Sequence, residues 1–189
     1  MINQETDDLW CRFKSGDDDA LSKLYNHYIH DLFSYGLKIN GDESLIKDCI
    51  QEVFIQLIDK RKKIRLSDAT PVYLFKSLRN KLLEELRSKN RKMGIVKLIS
   101  YEDACHEISA EQSIVSSEED QIRSQIMDNA LNTLSDYQKE AIFLKYSQGF
   151  EYEKIAEILK IDIASARTLI YRSLKKLKES VIAKTRILL

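Results

Sequence analysis

A single proline and only five glycines are spread over 189 residues. With so few breakers, helix is expected throughout. No run approaches the roughly 18 consecutive apolar residues of a membrane span. The opening MINQETDDLW is acidic and has no apolar leader segment, so the chain is expected in the cytoplasm. Cysteine is scarce too: Cys11, Cys49 and Cys105 are far apart, odd in number and without a C-x-x-C pair, which argues against both a disulfide framework and a zinc site. His27 and His30 stand three apart on an expected helix, but two imidazoles are half the ligand set of structural zinc, so no metal is assigned. There is no Ser/His/Asp set, glycine-rich phosphate loop or paired-carboxylate motif, and neither an enzyme nor a cofactor is expected. What the chain does have is a hydrophobic fraction of 43%, enough for a real core in one large or two small domains.

The formal net charge of zero conceals blocks. Residues 1–59 hold 12 acidic and 5 basic side chains, whereas 60–92 hold 3 and 12. Residues 100–136 are acidic again, with 9 against 1, and 160–189 are basic, with 2 against 8. Two separate basic segments on one chain imply two polyanion contacts. The acidic stretches between them are also placed to mask those contacts in the free protein.

Hydrophobic periodicity predicts three long helices in the first half. Residues 17–38 carry Leu21, Leu24, Tyr25, Tyr28, Leu32, Phe33 and Tyr35, and residues 42–60 carry Leu45, Ile46, Cys49, Val53, Phe54, Leu57 and Ile58. The third opens with Thr70 as N-cap and Pro71 at the first helical position, then runs through Leu74, Phe75, Leu78, Leu82 and Leu86 to about residue 91. Residues 61–69 form a basic loop before it. Residues 93–117, with Gly94 and rising acidity, show no sustained period and are expected to be a flexible linker. A further helix starts near Ser117, and Ser135 with Gln138 makes a capping-box pattern for another that carries Ala141, Ile142 and Tyr146 to a stop at Gly149. The expected fold is therefore all-α, with a helical domain over residues 1–92, a linker over 93–117 and a second helical domain over 118–189.

Residues 151–178, EYEKIAEILKIDIASARTLIYRSLKKLK, have the form of a helix-turn-helix. Ile155, Ile158 and Leu159 recur at helical spacing, residues 160–162 supply a tight break, and Asp162 can cap a second helix by accepting from the amides of residues 164 or 165. On that helix Ala166, Ile170, Ser173, Leu174 and Leu177 share one face. Ala164, Thr168, Tyr171, Arg172 and Lys175 share the opposite one, with Arg167 at its edge. That outer face has the chemistry of a major-groove reader. Arginine can donate two hydrogen bonds to guanine, threonine can meet several base edges or a thymine methyl, and lysine neutralises phosphate.

With these motifs in place, the chain resembles the extracytoplasmic-function group of bacterial sigma-70 factors, the smallest initiation subunits of bacterial RNA polymerase. The likeness covers nearly the whole length. Asp48, Gln51, Glu52, Val53 and Phe54 reproduce the D-x-x-Q-E-V-F pattern of sigma region 2. The resemblance implies that Asp48, Gln51, Glu52 and Ile55 dock on the clamp coiled coil of the polymerase largest subunit. In YLFKSLRNKLLEELRSKNR, residues 73–91, Asn80 falls where the family helps read the −10 promoter element, with Lys76, Arg79 and Arg87 placed for phosphate. The loop at residues 65–70, including Ser67 and Asp68, corresponds to the family segment that captures an unstacked base. Residues 130–178 look like region 4, implying −35 recognition by Ser165, Arg167, Thr168, Tyr171, Arg172, Lys175 and Lys176. Two departures from the family pattern stand out. Lys160 takes the place of a common glycine, which implies a lysine in a left-handed conformation, and Leu169 lacks the basic head usual there.

The function implied is a transcription initiation factor that binds core RNA polymerase through its clamp and flap, reads the −10 and −35 elements of promoter DNA and helps to open the duplex. The resemblance also implies an inhibitory anti-sigma partner, soluble or membrane-bound. Two alternatives remain open from sequence: a stand-alone helix-turn-helix regulator, and an inactive sigma-like interaction protein. Retention of both basic segments counts against the second alternative, and the lack of a receiver-type βα pattern or a heptad repeat counts against the first.

Overall fold

The computed structural model describes residues 4–63, 71–92 and 118–188, and among these every regular element is helical. The chain divides into two compact units, residues 1–97 and 98–189. The expected linker and the expected Thr70 cap lie outside the described residues.

The first unit holds α1 (Gln4–Ser15), α2 (Asp18–Ile39), α3 (Glu43–Asp59) and α4 (Pro71–Lys92), one helix more than the periodicity predicts. The extra helix is α1. Few of its residues are apolar, but Trp10 and Phe13 are each 2% exposed, with rings in edge-to-face contact at 6.2 Å. Gly16 ends α1 in a left-handed conformation at φ 104. Asp17 then does two things at once. Its Oδ1 accepts from the amides of Asp19 and Ala20 at 2.9 and 3.2 Å, capping α2, while its Oδ2 accepts from Arg12 Nε and Nη2 at 2.9 and 2.7 Å. The Arg12 hydrogen bond, with those amides, holds the Asp17 carboxyl below the usual carboxylate range.

Leu24, Tyr28, Leu32 and Tyr35 of α2 recur three or four apart and are buried. They meet Ile46, Cys49, Ile50, Val53 and Leu57 of α3 and Leu74, Phe75, Leu78 and Leu82 of α4. The apolar stripes are wider than the core they build: Tyr25 is 37% exposed and Ile58 43%, so both belong to the surface.

The second unit holds α5 (Glu118–Leu131), α6 (Asp136–Ile142), α7 (Tyr152–Leu159) and α8 (Ile163–Leu188). Ser135 opens α6 with a reciprocal capping box: its hydroxyl accepts from the Gln138 amide at 3.3 Å, and Gln138 Oε1 accepts from the Ser135 amide at 3.1 Å. The α-helix ends sooner than the periodicity predicts, because a single π turn follows at Phe143–Ser147. Gly149 reverses the chain at φ 67. Ile155, Ala156, Ile158 and Leu159 of α7 are buried with Ala166, Ile170 and Ser173 of α8. Leu174 is 39% exposed and leaves the packed face that its spacing assigns it to.

Lys160 joins α7 to α8 at φ 58 and ψ 47, the left-handed conformation expected of it. A side chain there carries strain that glycine would not, offset in part by the greater freedom of glycine in the unfolded chain. Lys160→Gly is therefore expected to stabilise the second unit by about 0.5–1 kcal/mol. The check is the thermal midpoint followed by helical circular dichroism, and a lower midpoint would contradict the strain.

Candidate nucleic-acid interface

On α3 the spacing of Asp48, Gln51, Glu52 and Ile55 places them on one flank, and all four are exposed, Ile55 to 55%. Val53, Phe54 and Leu57 turn inward at 2%, 6% and 0%. Tyr25 of α2 packs edge-on against Phe54 at 5.0 Å, so with Ile58 it adds an apolar border that periodicity alone assigns to the core.

Glu52 is not a bare carboxylate: its Oε2 lies 2.6 Å from Lys81 Nζ, which also meets Glu85 Oε1 at 3.3 Å. Those two partners, Glu52 first, hold Lys81 firmly protonated. Lys81 thereby links α3 to α4 one residue past Asn80. The neighbouring Cys49 is buried, and burial, with the Glu52 charge adding to it, pushes its thiol up to about 11. It is packing material rather than a reactive thiolate.

On α4, Lys76 and Asn80 are half-buried and Arg87 is exposed. At 100° per residue the three fall within about 40° of one another, so the helix does bring these predicted residues to one face. Arg79 does not join them. It is 2% exposed, and its expected role on phosphate is corrected: four residues after Phe75 and three before Leu82, it shares the packed face of α4. Ser67 and Asp68 lie outside the described residues.

In the second unit Asp162 caps α8, its Oδ1 accepting from the Ser165 amide at 2.8 Å and its Oδ2 from the Ser165 hydroxyl at 2.7 Å. The Ser165 hydroxyl, as the larger influence, holds the Asp162 carboxyl below its ordinary range. Ser165 is exposed, but its proton is committed to the cap, which leaves it an acceptor toward any ligand. Arg167, Thr168, Tyr171, Arg172, Lys175 and Lys176 are all exposed, Tyr171 to 68%. Thr168 donates to the Ala164 carbonyl at 2.9 Å, which turns its proton back into the helix. Arg167 Nη2 stands 3.8 Å from Glu153 Oε1, and Lys175 Nζ 4.0 Å from Glu179 Oε1. The result is a helix with a packed inner face and an outer row of donors, two of them arginine, that can be laid in a groove.

Comparison with known proteins agrees with both halves. Residues 24–92 match the family model described as Sigma-70 region 2, and residues 124–177 match Sigma-70, region 4. The chain is 26% identical over 191 residues to an ECF RNA polymerase sigma-E factor of Escherichia coli, covering 96% of this chain and 97% of that one. It is 24% identical over 161 residues to the ECF RNA polymerase sigma factor SigM of Bacillus subtilis, covering 84% and 93%. Among solved structures it is similar to the sigma factor RpoE in complex with the anti-sigma factor NepR from Bartonella quintana, with a TM-score of 0.63 and 22% identity over 85% of this chain and 95% of that one. It is also similar to CnrH in complex with the cytosolic domain of CnrY, with a TM-score of 0.62 and 16% identity over 94% and 97%.

Proposed function

Because this chain belongs to the extracytoplasmic-function group of the sigma-70 family, we propose that its two units divide the work of an initiation factor between the α3 flank, the outer face of α4 and the outer face of α8. The chain directs RNA polymerase to promoters. The α3 flank, through Asp48, Gln51, Glu52 and Ile55, docks the chain on core polymerase. Lys76, Asn80 and Arg87 address the −10 element, and the α8 row addresses the −35 element. The observation that carries this reading is one chain with two separate basic helices and an exposed carboxylate-amide flank beside one of them.

The family acts in initiation without an enzymatic step of its own, so each of these residues binds rather than catalyses. Among the described residues no helix is long and apolar enough to cross a membrane; the proposed site of action is DNA in the cytoplasm. An anti-sigma partner is part of the proposal, since RpoE of Bartonella quintana and CnrH, which share this fold, are each held by one or by a cytosolic domain.

The test is retention of core polymerase by the immobilised chain. Asp48→Lys with Glu52→Gln should abolish most of it, the glutamine sparing Lys81 a second cation nearby. Exposed helix charges contribute little to stability, so circular dichroism should stay unchanged. Full retention by a folded double variant would remove α3 from the docking surface.

A further inference from the structure

We propose that Tyr152 and Glu153, at the start of α7, are positioning residues for Arg167, so that what Arg167 reads in DNA depends on two side chains that themselves stay off the bases. This rests on the reading of Arg167 as a DNA contact. The Arg167 guanidinium carbon sits over the Tyr152 ring at 5.4 Å from its centroid, within the reach of a cation–π interaction. Its Nη2 stands 3.8 Å from Glu153 Oε1. The Arg167 and Glu153 side chains are 62% and 56% exposed, so this pair does little to hold the fold together. Its consequence is local: it selects one arrangement of a long, flexible side chain in the second turn of the recognition helix.

The ring that receives Arg167 is itself held. Lys145 of the π turn lies over the same ring at 4.7 Å, donates to the Phe150 carbonyl at 3.2 Å and pairs with Glu151 at 3.3 Å. A chain of contacts therefore runs from the π turn through Tyr152 to Arg167. An arginine already ordered loses less conformational freedom on binding, and a cation–π contact draws on the charge of the guanidinium without requiring its N–H donors, which stay available to a guanine. Glu153 acts differently. Its carboxylate is repelled by phosphate, which disfavours arrangements that bring this corner of the unit onto the DNA backbone. Tyr152 should thus sharpen base choice, and Glu153 should sharpen it while lowering affinity for all DNA.

The test uses holoenzyme assembled from core polymerase and full-length variants, with competition binding to promoters bearing single-base −35 changes at two salt concentrations. Arg167→Ala should erase the preference at one or two base pairs. Tyr152→Leu should weaken that same preference about two- to fivefold, the size of one exposed cation–π contact, and Tyr152→Phe should retain it. On an Arg167→Ala background Tyr152→Leu should change nothing further. Glu153→Gln should raise affinity for every sequence and reduce the preference. If Arg167→Ala reduces the preference while Tyr152→Leu leaves it intact, or lowers all sequences alike, positioning is refuted and the DNA contact stands. If Arg167→Ala itself leaves every preference unchanged, the DNA contact falls and positioning falls with it.

Discussion

Gly36→Ala should destabilise the first unit by about 1–2 kcal/mol, even though alanine is the better helix former. The position lies in α2 and is buried against α3. A Cβ placed there would stand 2.5 Å from Ile46 Cγ2 and 3.1 Å from Ile46 Cγ1. Ile46 is fully buried, and a β-branched residue in a helix has essentially one χ1 rotamer, so it cannot swing aside. The two helices must part instead. Overpacking of this kind costs about 1–3 kcal/mol, and alanine returns about 0.5–1 kcal/mol of helix propensity. Trp10 is the chain's single tryptophan and is buried in this unit, so its fluorescence in urea follows this unit and not the other. Ile46→Ala removes both clashing atoms at a cost of about 2–5 kcal/mol of its own. On that background Gly36→Ala should be neutral or stabilising, a non-additivity that a general helix effect would not produce. An unchanged urea midpoint for Gly36→Ala alone would show that the α2–α3 approach is softer than its geometry implies.

That approach was invisible in the sequence, whereas the caps were not, and the difference is one of range. Ser135 with Gln138, and Asp162 with Ser165, satisfy amides within three residues, so their chemistry is complete in a short window. The left-handed Lys160 was legible through the resemblance alone, as a lysine standing where the family commonly has glycine. Periodicity found each packed stripe but not its edges. Tyr25, Ile58 and Leu174 have the spacing of core residues and are exposed at 37%, 43% and 39%, because how wide a face is covered depends on which helix comes to lie on it. Arg79 is the converse case. Its type suggested phosphate, but its place between Phe75 and Leu82 put it inside. At this position the place on the helix outweighs the residue type.

The candidate sites divide along the same line. Asp48, Gln51, Glu52 and Ile55 form a flank through helical geometry alone, and the outer row of α8 does likewise. The Glu52–Lys81 bridge joins α3 to α4, and the cation–π contact of Arg167 with Tyr152 joins α8 to α7. Neither can be read before the helices are docked. α1 escaped periodicity because two aromatic rings, Trp10 and Phe13, do most of its burying, and two residues make no stripe.

Arg172→Ala should weaken binding to the cognate −35 sequence by about 1–3 kcal/mol, roughly five- to 150-fold, and relax discrimination at one or two positions. Arg172 is exposed on the outer face of α8, one turn beyond Thr168. A guanidinium so placed can give both hydrogen bonds to a guanine edge, and a wrong base then leaves those donors unmet in the groove. Lys176 is also exposed but sits one turn further on and about 40° round the helix, toward the groove wall. Lys176→Ala should weaken all sequences alike and lower the salt slope by about one unit, since it removes a single phosphate contact. Competition binding of holoenzyme to single-base −35 variants at two salt concentrations separates the two behaviours. Should Arg172→Ala lower every variant by the same factor and flatten the salt slope as Lys176→Ala does, Arg172 holds backbone, and base reading on α8 shifts toward the helix N-terminus, to Arg167 and Thr168.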